Sequence, residues 1–176
     1  MKKLLYIIIF LMPGICFGQN FEYTGNFPID KSRNISDIFE MTKLWFTNST
    51  PGVVKTLYEI NSDSGSLVGR FAIIFHPDCR APKCIRAIGK VNFNVLISIS
   101  KNSCNYQFLD FFHSGAERAP GGPISFGKIT NDIFCPCFDI DGGKSWKNEQ
   151  WSALKSIINA KVNGLIIDLK LMIASK

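Results

Sequence analysis

Catalytic signatures are missing from this chain. No phosphate-binding G-x-x-x-x-G-K-[ST] loop, no dinucleotide fingerprint and no G-x-S-x-G nucleophile elbow occurs in its 176 residues. Histidine is scarce, with His76 and His113 the two present. His113 and Ser114 beside Asp110 supply base, hydroxyl and acid types, but without the elbow they do not read as a triad. The expectation therefore leans away from an enzyme. Basic residues are scattered rather than clustered, and the formal charge of +6 is modest. A nucleic-acid binder should carry a basic stripe, so nucleic acid is not an expected partner. Long apolar runs are also absent. Leu4 to Met12 is far shorter than the ~20 residues of a membrane-spanning helix, so no membrane span is expected.

What the first residues do contain is an address. MKKLLYIIIFLMPGICFGQN has two lysines, an apolar run, a Pro-Gly break, and Cys16 and Gly18 at the small-residue positions before Gln19. This is the layout of a secretory signal peptide over residues 1–18, cut after Gly18. Acylation of Cys16 is the rival reading, but the residue before it is Ile15, where a small one is needed. Loss of Lys2 and Lys3 lowers the formal charge to +4. The rest, 19–176, has single-domain length and chain enough for one core. The protein is expected in the periplasm, at the cell surface or secreted.

Along that stretch, hydrophobic periodicity predicts strands and two helices. Phe21 to Ile29 reads as a strand that Pro28 demotes toward an edge. Ile35, Ile38, Phe39, Met41, Leu44 and Trp45 recur at helical spacing, with Asn34 and Ser36 as caps and Pro51-Gly52 as the stop. Val53–Ile60 and Leu67–Phe75 flank the turn cluster NSDSG and read as a hairpin. In the next strand Val91, Phe93, Val95, Ile97 and Ile99 alternate with Asn92, Asn94, Ser98 and Ser100, one face buried and one wet. Cys104–Phe112 follows, with Tyr106, Phe108 and Phe112 on its apolar side. Residues 113–147 form a long loop in which Ile129–Cys135 could hide a strand. A final amphipathic helix runs from about Asn148, with Gly164 inside it at a cost of about 1 kcal/mol. Trp45 and Trp151 are read as anchors of the two helices on the sheet. The fold class is α+β, an antiparallel sheet of about five strands with two helices on one face and the other face partly polar and open.

Three stretches carry a resemblance: KLWFTNS (43–49), YEINSDSGSLVGRFAIIF (58–75) and WSALKSIINAKVNGLIIDLKLMIAS (151–175). With FNVLISISKNSCNYQF (93–108) as a further hairpin, the chain resembles the exported Bacteroidota family called domain of unknown function 4468. The resemblance implies a TATA-binding-protein-like (TBP-like) fold of order β-α-β-β-β-β-α. It implies no catalytic residues, and a fold name of this kind does not imply DNA binding.

HPDCRAPKC (76–84) and FCPC (134–137) look like additions to that pattern. If the strands run antiparallel, the insertion at 76–86 and the loop after His113 leave the sheet at the same end. Cys79, Cys84, Cys135 and Cys137 then meet there, with His76 and His113, while Cys104 lies at the far end as a buried apolar residue. Disulfides are the leading reading in an exported protein. A direct Cys135–Cys137 bond is expected to strain the geometry, which favours cross-pairing to Cys79 and Cys84, or a Cys79–Cys84 bond alone. The alternative is a zinc site built from His76, Cys79, Cys84, Cys135 and Cys137, which would make zinc the cofactor where otherwise there is none. A redox pair is the least favoured, because C-P-C lacks the C-x-x-C spacing. The functional expectation is a non-enzymatic binding module. Its open sheet face, with Arg70, Asn92, Asn94, Ser98 and Ser100, would meet an unknown protein or small-molecule ligand.

Overall fold

The computed structural model describes residues 20–78, 81–117, 119, 121–137, 140 and 142–175. The expected signal peptide and Cys79 lie outside these residues.

Five strands form the main path of one antiparallel sheet: β1 (Tyr23–Pro28), β2 (Val53–Asn61), β3 (Ser66–Phe75), β4 (Gly89–Ile99) and β5 (Ser103–Gly115). Their order across the sheet is β1-β5-β4-β3-β2. A two-residue strand, β6 (Gly127–Lys128), also pairs with β5. β1 covers the first half of β5 and β6 covers its end, with Phe112 opposite Lys128. The long loop thus does hide a strand, but it lies just before the expected segment; Thr130 within that segment forms an isolated bridge to Asn20.

Two long helices lie on one face, α1 (Ile35–Thr47) and α3 (Lys144–Ala174), and a single turn, α2 (Pro82–Arg86), sits in the 76–86 insertion. The Asn34 side chain caps α1 by accepting the Ser36 N–H at 3.0 Å. Gly52, at φ 74°, turns the chain after α1 in the left-handed region that suits glycine. α3 begins four residues earlier than expected. Its first turn has no side-chain cap and only Trp146 as a buried apolar residue, so no sequence signal marks it.

The core is the layer between helices and sheet. Trp45 and Phe46 of α1 pack on Phe71 of β3, with ring centroids 5.4 and 5.5 Å apart. Trp151, Leu154, Ile158, Val162, Leu165 and Leu169 supply the matching buried stripe of α3. Gly69 in β3 allows the close fit: a Cβ there would stand 2.5 Å from the Phe46 ring. Both tryptophans are buried, as expected of anchors.

Two strands depart from simple alternation. β2 has a bulge at Tyr58, between Leu57 and Glu59. β5 has one opposite Phe93: Asn92 pairs with Phe112, but Asn94 pairs with Leu109. The extra residue includes Asp110, the one non-glycine with positive φ among the described residues, at 61°. The bulge exchanges the faces of everything after it. Phe111 is therefore buried and Phe112 is 49% exposed, the reverse of the sequence expectation for Phe112.

Candidate functional site

The face of the sheet away from the helices is built in rows set by the ladder. One row runs Val54, Ala72, Asn92, Phe112, Lys128. The next runs Thr56, Arg70, Asn94, Leu109, with the bulged Asp110 beside it. These two rows frame an open concavity of about 670 Å³ lined by Arg70, Asn92, Asn94, Asp110, Phe112 and Lys128, with Phe93 and Phe111 at its floor. Asn94 Nδ2 donates to Asp110 Oδ2 at 3.0 Å. The Arg70 guanidinium lies 5.2 Å from the Tyr58 ring centroid, on the edge strand.

Three of the residues expected on the binding face, Arg70, Asn92 and Asn94, are thus brought together. Ser98 shares the face but lies two rows further along, opposite Asn105 and Ser66. Ser100 is not on it. β4 ends at Ile99, and Ser100 Oγ donates to the Ser103 carbonyl at 3.0 Å, closing the turn to β5. Asp110, Phe112 and Lys128 are additions that the alternation pattern did not supply. The signal for the first two is LDFF, a strand segment in which an acid precedes two adjacent aromatics. Lys128 had none, because a two-residue strand has no period.

A smaller concavity of about 160 Å³ adjoins the first and shares Asp110 and Lys128 with it; Asn20 and Glu22 also line it. Lys128 Nζ donates to Asn20 Oδ1 at 3.3 Å, and Asn131 Nδ2 donates to the Asn20 carbonyl at 2.8 Å.

The cysteine loops meet at one end of the sheet, as the topology argument expects, and gather on the first turns of α3. Trp146 Nε1 donates to Cys84 Sγ at 3.3 Å. The Asn148 side chain accepts the Cys135 N–H at 3.1 Å, and Lys147 Nζ donates to the Cys137 carbonyl at 3.1 Å. The pairing differs from expectation. Cys135 and Cys137 are bonded to each other, so neither cross-pairs to Cys79 or Cys84. Pro136 between them fixes its φ and turns the chain, and the flanking Cα atoms stand 5.2 Å apart, inside the range a disulfide accepts. Cys84 is also disulfide-bonded.

Those bonds bear on the zinc alternative. Three of its five ligands, Cys84, Cys135 and Cys137, have no thiolate to offer while oxidised. Among the described residues no group of three or more His, Cys, Asp or Glu side chains converges on a metal position. His76 is exposed. His113 is fully buried between Phe75 and Phe126, and its Nδ1 accepts the Phe126 N–H at 3.1 Å. Burial pushes its pKa down to about 4, only partly opposed by the Ala87 backbone. It is a neutral core residue on the opposite side of β5 from Ser114. Cys104 is free and buried, and desolvation pushes its thiol up to about 12.

No protein-family model matches the sequence, and no curated protein does. Two solved structures share the fold. One is described as a TBP-like protein from Parabacteroides distasonis, with a TM-score of 0.58 and 11% identity over 86% of this chain and 93% of that one. The other is a DUF4468 family protein from Bacteroides ovatus, with a TM-score of 0.54 and 8% identity over 89% and 88% of the two chains. The resemblance read in the sequence is thus met at the level of the fold, an α+β, TBP-like sheet with its helices on one side. No helix among the described residues is long and apolar enough to cross a membrane.

Proposed function

We propose that this is an exported, non-enzymatic binding module that meets its ligand on the open face of the sheet. The observation that carries the reading is the concavity over the Asp110 bulge. A β-bulge at mid-strand re-aims side chains, and a non-glycine residue held in the left-handed region costs of order 1 kcal/mol. Both features fall where Arg70, Asn92, Asn94, Phe112 and Lys128 converge. Export is supported by the layout of residues 1–18 and by the disulfides at Cys84 and at Cys135–Cys137, which suit an oxidising compartment. The cysteine loops then act as clips on the start of α3.

The test is chemical-shift mapping on the isotope-labelled mature chain, 19–176, exposed to soluble extract of the source cell envelope. Changes confined to Arg70, Asn92, Asn94, Phe112 and Lys128 support the reading. Changes clustered elsewhere, or none, overturn it. The mass of the chain recovered outside the cytoplasm tests export separately: a new amino terminus at Gln19 is expected.

A further inference from the structure

The chemistry of the concavity narrows its ligand. Among the described residues Arg70 has no carboxylate within salt-bridge distance; the ion pair among them is Lys43–Glu40, on α1. Lys128, across the concavity, donates to the neutral Asn20 side chain and has no salt bridge among the described residues. Within the concavity itself two cations line the walls against one carboxylate, Asp110, which is already accepting from Asn94, while Glu22 lines the adjoining recess beside Lys128. The excess of positive charge in that lining suits an anion. A carboxylate suits it better than a phosphate. A phosphate dianion would meet Asp110 more unfavourably than a carboxylate monoanion.

The other groups ask for hydroxyls and for a flat apolar surface. The Asn92 amide has no hydrogen bond described within the protein, and Asn94 and Asp110 each keep an oxygen free for a further donor. Phe112 shows about half of its ring to solvent between them. Planar amides beside an aromatic ring suit a polyol with one apolar face. The concavity is open and shallow, unlike the enclosed pocket that a small zwitterion such as an amino acid needs to bury its surface. It also has a neighbour along the same strands. Ile74, Lys90 and Ser114 form the next row of the face, about 7 Å on, and help line a second open concavity of about 470 Å³. A third cation, Lys90, lies there together with the carboxylate of Glu117.

We infer that the open face binds an acidic oligosaccharide. Arg70 and Lys128, on opposite rims of the concavity, take carboxylates of successive sugars, Asn92, Asn94 and Asp110 take hydroxyls between them, and Phe112 receives an apolar sugar face. The inference rests on the open-face reading above and adds the ligand class.

Calorimetry and side-chain amide spectra of the mature chain would test it, with oligogalacturonate, alginate and hyaluronan fragments as acidic probes. Methyl-esterified oligogalacturonate is the uncharged control and a glutamate-rich peptide the non-sugar control. The expected result is saturable binding of at least one acidic sugar that shifts the Asn92 and Asn94 amide signals. Binding should be about tenfold weaker or worse for the methyl ester, and also for Arg70→Ala and Lys128→Ala proteins whose other signals are unchanged. Equal binding of the methyl ester overturns the acidic requirement and leaves the open-face reading standing. Binding of the peptide at these residues without any sugar overturns the sugar class alone. No shift at these residues with any of the three sugars overturns the inference, while the extract mapping decides the open-face reading independently.

Discussion

Asp110 and His113 lie three residues apart on β5 and put opposite demands on stability. Asp110 occupies a conformation that glycine adopts without cost, and its visible return is one hydrogen bond to Asn94 on an exposed surface. If its role is ligand binding, Asp110→Gly should unfold within about 1 kcal/mol of the parent, since relief of the left-handed strain offsets the lost bond and the extra unfolded-state freedom. Its affinity for the acidic sugar should nevertheless fall. Denaturant melts and calorimetry on the same preparation check both. His113 is a core residue whose folded pKa lies near 4, below the ordinary value of 6.5. The unfolded chain therefore takes up a proton that the folded chain refuses between those two values. Stability should be intact above pH 6.5 and decline as the pH falls toward 4, by at most on the order of 3 kcal/mol. Urea melts at pH 7.0, 5.5 and 4.5 should show that slope. His113→Gln, which keeps an acceptor for the Phe126 N–H, should flatten it.

Among the elements, the most legible were those with a long, unbroken period. Eleven residues of β4 alternate without interruption, and its buried face could be read directly from the sequence. Most of α1 and α3 followed from their apolar stripes. β5 was half legible, because one inserted residue at Asp110 reverses every later side chain and leaves no composition signature. That is why Arg70, Asn92 and Asn94 could be placed on a common face while Phe112 was assigned to the wrong one. Ser100 was misplaced for a related reason: alternation does not say where a strand stops, and a serine serves a turn as well as a wet face. The Cys135–Cys137 bond was missed because its feasibility depends on the turn at Pro136 rather than on spacing. α3 offers a direct test of how propensity and packing divide the work. Gly164 lies mid-helix, and a Cβ there would meet nothing within 4 Å. Gly164→Ala should raise stability by about 0.5–1 kcal/mol, read as a higher denaturation midpoint at unchanged denaturant dependence.

Across the whole molecule, the two sides of the sheet differ in what covers them. The helical side holds both long helices and the large aromatic cluster. The open side exposes Arg70, Lys90 and Lys128 together with Asp110, Glu22 and Glu117, so charge interactions there act through solvent. Affinity for an acidic ligand should drop as ionic strength rises past about 0.15 M, where charges act over only about 8 Å. Titrations repeated over a salt series check this.

Asn20, the first described residue, is tied by three contacts to the rim of the site, through Thr130, Lys128 and Asn131. α3 ends at the opposite end of the molecule from the cysteine loops, beside Arg33, whose guanidinium donates to the Ile173 carbonyl. The two ends of the described chain are thus unequal as handles. Anything joined ahead of Asn20 emerges at the doorway of the concavity, whereas anything joined after Ser175 leaves from the far, helical side. A bulky fusion at the front should weaken sugar binding, and the same fusion at the back should leave it unchanged.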